Sequence, residues 1–131
     1  MFERMAVWQQ LSLNLVADGR AERARGLVVS GSYFETLGVR ASKGRVLMAA
    51  DDELSHGIPA VLSTSLWRAR FDAREDIVGR QISLNRQLVT VVGIAPEGFA
   101  GTDLGYPADV FVPITAHDVL ARAAGGRPAL A

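Results

Sequence analysis

The chain has 131 residues, 49% of them hydrophobic, and its fourteen basic residues balance fourteen acidic ones. That length and composition supply one domain with a real core and exclude global disorder, while zero net charge removes the field that would gather nucleic acid or anionic lipid. With no cysteine the chain forms neither a disulfide framework nor a thiolate metal site, and cysteine usage leaves its compartment open.

The first fifteen residues, MFERMAVWQQLSLNL, carry Glu3 and Arg4 and then break their apolar character at Gln9, Gln10, Ser12 and Asn14. They hold neither a signal-peptide core nor the arginine-rich period of a mitochondrial leader. No run approaches the roughly 18 to 20 apolar residues that span a bilayer as a helix. Leu11, Leu13 and Leu15 alternate with polar residues, which predicts a half-buried strand. Asp18-Gly19 is a favoured hairpin turn, so residues 7–30 read as a β-hairpin whose polar stretch Arg20 to Arg25 is expected to splay.

Val29 to Arg45, VSGSYFETLGVRASKGR, predicts a strand end, a short helix and a glycine stop. Ser32 and Glu35 have the spacing of a capping box, Tyr33, Phe34 and Leu37 form the apolar side, and Gly38 is placed to end the helix before Val39. Ala41 to Asp52 reads as a surface loop. Pro59 to Leu62 predicts a buried strand, followed by a helix capped by Ser63 and running to Phe71. Trp67 and Phe71 share its inner face with Leu66, and Arg68 and Arg70 fall toward its edges or outside. Arg74 to Val78 is a turn closed by Gly79. Arg80 to Leu84, then Asn85-Arg86, then Gln87 to Ile94 form the clearest hairpin. Its two-residue loop sets Ile82 opposite Val89 and Leu84 opposite Gln87, and the apolar Leu88 and Val92 on the second face place that strand inside the sheet. Pro96 to Gly98 is a turn, Gly101 to Pro107 a loop, Asp109 to Ile114 a last strand, and His117 to Ala124 a helix ended by Gly125, Gly126 and Pro128. The expectation is a single α+β domain over residues 1–131, a mixed or antiparallel sheet built from β-hairpins with two or three short helices.

Candidate chemistry is sparse. Asp51, Asp52, Glu53 and His56 form the one cluster of hard metal ligands, but their spacing matches no known cage and a solvated acidic loop accounts for the run. Ser30, Ser32, Ser63 and Ser65 lack the G-x-S-x-G setting of a nucleophile beside His56 or His117, and capping explains them. Lys43-Gly44-Arg45 lacks the flanking pattern of a phosphate loop. Trp67 with Arg68 and Arg70 is core at helical spacing before it is a base-stacking platform. Phe99, Leu104 and Tyr106, in a glycine-rich loop, mark a candidate binding rim. No catalytic, metal or cofactor-binding residue is assigned.

Taken in order, VSGSYFETLGVRASKGR, Asp51-Asp52, AVLSTSLWRARF, IVGRQISLN, VTVVGIAPEGFAG and DVFVPI resemble the MacB-like periplasmic core domain of ABC transporter permeases, over roughly Val28 to Ile114. The flavour is that of large permeases found as orphans in Acidobacteria. The resemblance implies a non-catalytic, cofactor-free domain on the periplasmic face of the cytoplasmic membrane, engaged in substrate or partner contact and in coupling ATP-driven motion to transport such as efflux. Its implied partners are the transmembrane helices of a parent permease, a separate ABC ATPase subunit and a periplasmic protein, with no nucleic acid. The alternatives are a small hydrolase or metal-dependent enzyme using Asp51 to His56, and an independent binding module.

Two departures from the family pattern stand out. Arg86 follows Asn85 where the family commonly has glycine, so a tight type I′ turn carries strain unless the loop opens. Without flanking membrane helices or the later strands of the family domain, the chain is expected to be a fragment whose exposed hairpin edge favours self-association.

Overall fold

The computed structural model describes residues 6–102 and 105–125. Seven strands, three α-helices and two 3-10 turns follow in the order β1 (Trp8–Ala17), β2 (Arg20–Val29), α1 (Tyr33–Leu37), β3 (Lys43–Gly44), a turn at Ala49–Asp52, β4 (Ile58–Leu62), α2 (Thr64–Phe71), β5 (Gln81–Leu84), β6 (Gln87–Ile94), β7 (Val110–Pro113), a turn at Ile114–Ala116 and α3 (His117–Gly125). The fold is α+β, as expected. Its sheet is mixed: β2 with β7 and β4 with β6 are parallel, and the other pairings are antiparallel.

The sheet runs β3-β6-β4-β7-β2-β1-β5, and β5 pairs again with β6, so six strands close into a ring. Every strand of that ring contributes to one apolar cluster, which therefore fills the interior: Leu13 and Leu15, Val28, Leu62, Leu84, Val91 and Val112, joined by Leu66 and Phe71 of α2 and Leu120 of α3. A second cluster covers the outer face of β2, β4 and β7, where Leu27, Val61 and Phe111 meet Tyr33 and Phe34 of α1. Both faces of β7 are thereby buried, which matches its continuous apolar run.

The first hairpin is longer and better ordered than its composition suggests. Arg20 to Arg25 does not splay but stays in register from Ala17↔Arg20 to Trp8↔Val29, because alternate residues Leu13, Leu15 and Ala24 enter the core and carry their polar neighbours with them. Helix α1 ends as expected: Gly38 takes φ of 72°, its N–H donates to the Glu35 carbonyl, and Val39 N–H donates to the Phe34 carbonyl, the paired bonds of a Schellman motif. Its start differs, since the Ser32 side chain makes no capping bond to the helix. Ser63, by contrast, accepts from Leu66 N–H at 3.1 Å and caps α2.

Residues 41–52 are more than a surface loop. They include β3, bury Leu47 and close with a 3-10 turn. β3 crosses β6 so closely that a Cβ on Gly93 would overlap the Arg45 carbonyl, so only glycine fits there. The β5–β6 hairpin has the expected register, with Ile82 opposite Val89 and Leu84 opposite Gln87. β6 lies inside the sheet, although Leu88 remains 64% exposed. Leu104, Gly126 and Pro128 lie outside the described residues.

Candidate functional site

The acidic segment is organised to hold backbone. Asp51 accepts two guanidinium bonds from Arg45, at 2.8 and 3.1 Å, and the Met48 N–H at 2.8 Å. Burial pushes its carboxyl up, but the Arg45 and Met48 hydrogen bonds and the Arg45 charge outweigh that and hold it below its ordinary 3.8. Asp52 points elsewhere, accepting from Gly31 N–H at 3.3 Å, and Glu53 and His56 are exposed. Among the described residues, no three His, Asp or Glu side chains gather closely enough to share a metal ion.

The serines and histidines are likewise apart. Ser63 is a buried cap, Ser30 Oγ accepts from Val7 N–H, and His117 lies against Gln9 and Asp118. Lys43 and Gly44 are strand residues beside β6, with the Lys43 ammonium 5.9 Å from the Trp67 ring centre. Trp67 packs against the interior cluster and donates its indole N–H to the Arg74 carbonyl at 2.9 Å.

Arg70 is the clearest correction on α2, being 6% exposed instead of lying at the edge or outside. Its guanidinium donates to the Ala17 and Arg20 carbonyls on either side of the Asp18-Gly19 turn, which moors the hairpin tip. Asn85 is a second node that its turn position conceals. Its Oδ1 accepts from Asn14 N–H at 2.7 Å, its Nδ2 donates to the Leu120 carbonyl at 3.0 Å, and its own N–H donates to the Asn14 carbonyl at 3.0 Å. The carboxamide thus continues the ladder along β1 to Asn14 where β5 stops, so this stretch of the hairpin's β1 edge is occupied. Only the buried setting of Asn85, 2% exposed, reveals this role.

The aromatic loop turns inward. Phe99 stacks on Phe111 with ring centres 5.8 Å apart, and the Tyr106 hydroxyl donates to the Gly26 carbonyl at 3.0 Å. Tyr33 and Thr102 hydroxyls lie 3.1 Å apart. Phe99 and Tyr106 therefore strap the loop to the sheet and are not a free rim. An apolar groove of about 370 Å³, walled by Val78, Gly79 and Val92, opens elsewhere on the surface, along β6, with Arg45 as its charged group, already engaged by Asp51. The arrangement offers surfaces and a rigid frame; the described residues bring no nucleophile and base together.

Comparison with known proteins agrees with this frame. The profile of the MacB-like periplasmic core domain matches residues 3–128. No curated protein matches the chain. Among solved structures, the periplasmic region of MacB from Actinobacillus actinomycetemcomitans is similar with a TM-score of 0.65 and 20% identity, over 84% of this chain and 47% of that one. The extracellular domain of the ABC-type transporter YknZ from Gram-positive bacteria is similar with a TM-score of 0.67 and 14% identity, over 93% and 58%. The chain thus spans about half the length of these relatives. No helix among the described residues is long and apolar enough to cross a membrane. Matched across nearly its whole length, the chain belongs to the family of MacB-like periplasmic core domains of ABC transporter permeases.

Proposed function

We propose that the chain is a non-catalytic module on the extracytoplasmic side of an ABC transporter permease, where it contacts substrate or partner proteins and passes on motion driven by a separate ATPase. Family membership supports the placement. The observation that carries the mechanical reading is the closed ring of strands, with Arg70 mooring its longest hairpin and Asn85 bridging β1, the β5–β6 turn and α3. Such a frame keeps its shape under load, and its polar groups serve that shape: Asp51, Asp52, Ser63 and Trp67 all bind backbone. The expected partners are the membrane helices of the parent permease, an ABC ATPase subunit and an extracytoplasmic protein.

The DNA on either side of this reading frame tests the placement. Segments encoding about 20 consecutive apolar residues are expected both upstream and downstream. Their absence from both flanks would leave a fold relative without a transporter.

A further inference from the structure

Among the described residues, the distal half of β2 has an open edge on the side away from β1. Its proximal half, Gly26–Val29, pairs in parallel with Val110–Pro113 of β7. Just before that ladder, Asp109 stands in for a strand: its N–H donates to the Arg25 carbonyl at 2.7 Å and its carboxylate accepts from Arg25 N–H at 2.9 Å. Beyond Arg25, toward the turn, no strand among the described residues pairs with β2 on this side. Hairpin register fixes where the remaining groups point. Ala17 and Arg20 close the two-residue turn as a hydrogen-bonded pair, so Ala21 and Arg23 turn their N–H and C=O away from β1.

Charge marks the same edge. Arg20, Arg23 and Arg25 are all exposed there. Arg23 donates to the neutral Ser12 hydroxyl at 3.1 Å, and among the described residues none of the three arginines forms an ion pair. Glu22, the one carboxylate within residues 20–25, lies 3.6 Å from the Arg70 guanidinium, and the flanking carboxylates are engaged, Asp18 by Arg80 and Asp109 by the Arg25 N–H.

We propose that this edge accepts an extended acidic segment of a partner protein as an added strand. The backbone groups of Ala21 and Arg23 supply the ladder, and the arginines set the sign of what binds. A second copy of the chain is disfavoured by the same residues, because pairing two such edges sets arginine against arginine. The inference rests on the module reading only for the existence of a partner; strand acceptance is a property of this chain.

The test uses the whole chain and a synthetic peptide of about eight residues alternating glutamate with valine. Amide exchange followed by NMR at low salt is expected to show the Ala21 and Arg23 amides slowed about tenfold by the peptide, with Val89 unchanged. A lysine counterpart leaves them unchanged, Arg23→Glu weakens binding about tenfold, and about 0.5 M salt weakens it too. Should Arg23→Glu fail to fold, Arg23→Gln makes the same comparison. Acidic-peptide binding without protection at Ala21 and Arg23, equal binding of the lysine peptide, no binding at all, or protection of both amides by self-association would each overturn the proposal. Flanking membrane segments with an unprotected edge refute the edge alone, and a protected edge without those segments refutes the transporter placement alone.

Discussion

Asn85 and Arg86 show opposite outcomes of one backbone conformation. Both have positive φ, 51° and 70°, as a type I′ turn requires. The loop stays tight despite the missing glycine. Asn85 offsets its strain through a buried carboxamide with partners on two other elements, whereas Arg86 is exposed and its side chain makes no such bond among the described residues. Asn85→Ala is therefore expected to cost about 2 to 4 kcal/mol by leaving buried backbone groups unpaired. Arg86→Gly is expected to add about 1 kcal/mol by relieving left-handed strain. Urea unfolding checks both, as shifts in midpoint at constant slope. The turn itself was legible in Asn85-Arg86 between two apolar alternations. The carboxamide's task was not, because the donor and the acceptor it binds, Asn14 N–H and the Leu120 carbonyl, lie 71 and 35 residues away in the chain.

Among the elements, the segment around β3 couples sequence to stability most directly. The Arg45–Asp51 bracket closes the stretch between β3 and the 3-10 turn that follows it. Asp51 titrates below its ordinary value in the fold, so the stability it contributes is complete above about pH 4 and is lost as pH falls through the lowered value. Asp51→Asn is expected to reduce stability by about 1 kcal/mol at pH 7. It should also flatten the decline in melting temperature between about pH 4 and pH 2, measured against the parent chain. A decline of equal steepness in the variant would assign acid sensitivity to other carboxylates. Local signals exposed α1, α2 and the second hairpin because each is written within a few residues: Gly38 as a stop, Ser63 as a cap, alternation around Asn85. β3 is not legible in the sequence because two residues carry no periodicity, and its position depends on close approach to Gly93, fifty residues on. The burial of Arg70 is not legible either, because it is decided by the hairpin tip that Arg70 moors.

At the scale of the molecule, β2, β4 and β7 contribute to both apolar clusters, and the two are therefore expected to unfold as one unit. Trp8 contacts Tyr33 at the edge of the outer cluster, and Trp67 packs on the inner one. Single-tryptophan variants, Trp8→Phe and Trp67→Phe, are expected to report the same thermal and urea midpoints once each is compared with its own circular dichroism transition. Separated fluorescence and circular dichroism midpoints would mean that the clusters unfold independently. The α+β class and the family were legible from motif order, because strand, helix and turn signals recur in one sequence. Ring closure was not, since it depends on β5 meeting two strands at once.

That closure is unevenly made. Leu15 and Val16 are the whole ladder between β1 and β5, against ten residue pairs between β1 and β2. The ladder between β4 and β7 is as short, but Val61 and Phe111 bury it under the outer cluster, so a force that tries to part the wall meets little resistance where β1 meets β5, with the Asn85 carboxamide as the stitch beside it. Opened there, the sheet would uncurl like a cuff, keeping its long hairpin intact while exposing Leu13, Leu15 and Leu84 to water.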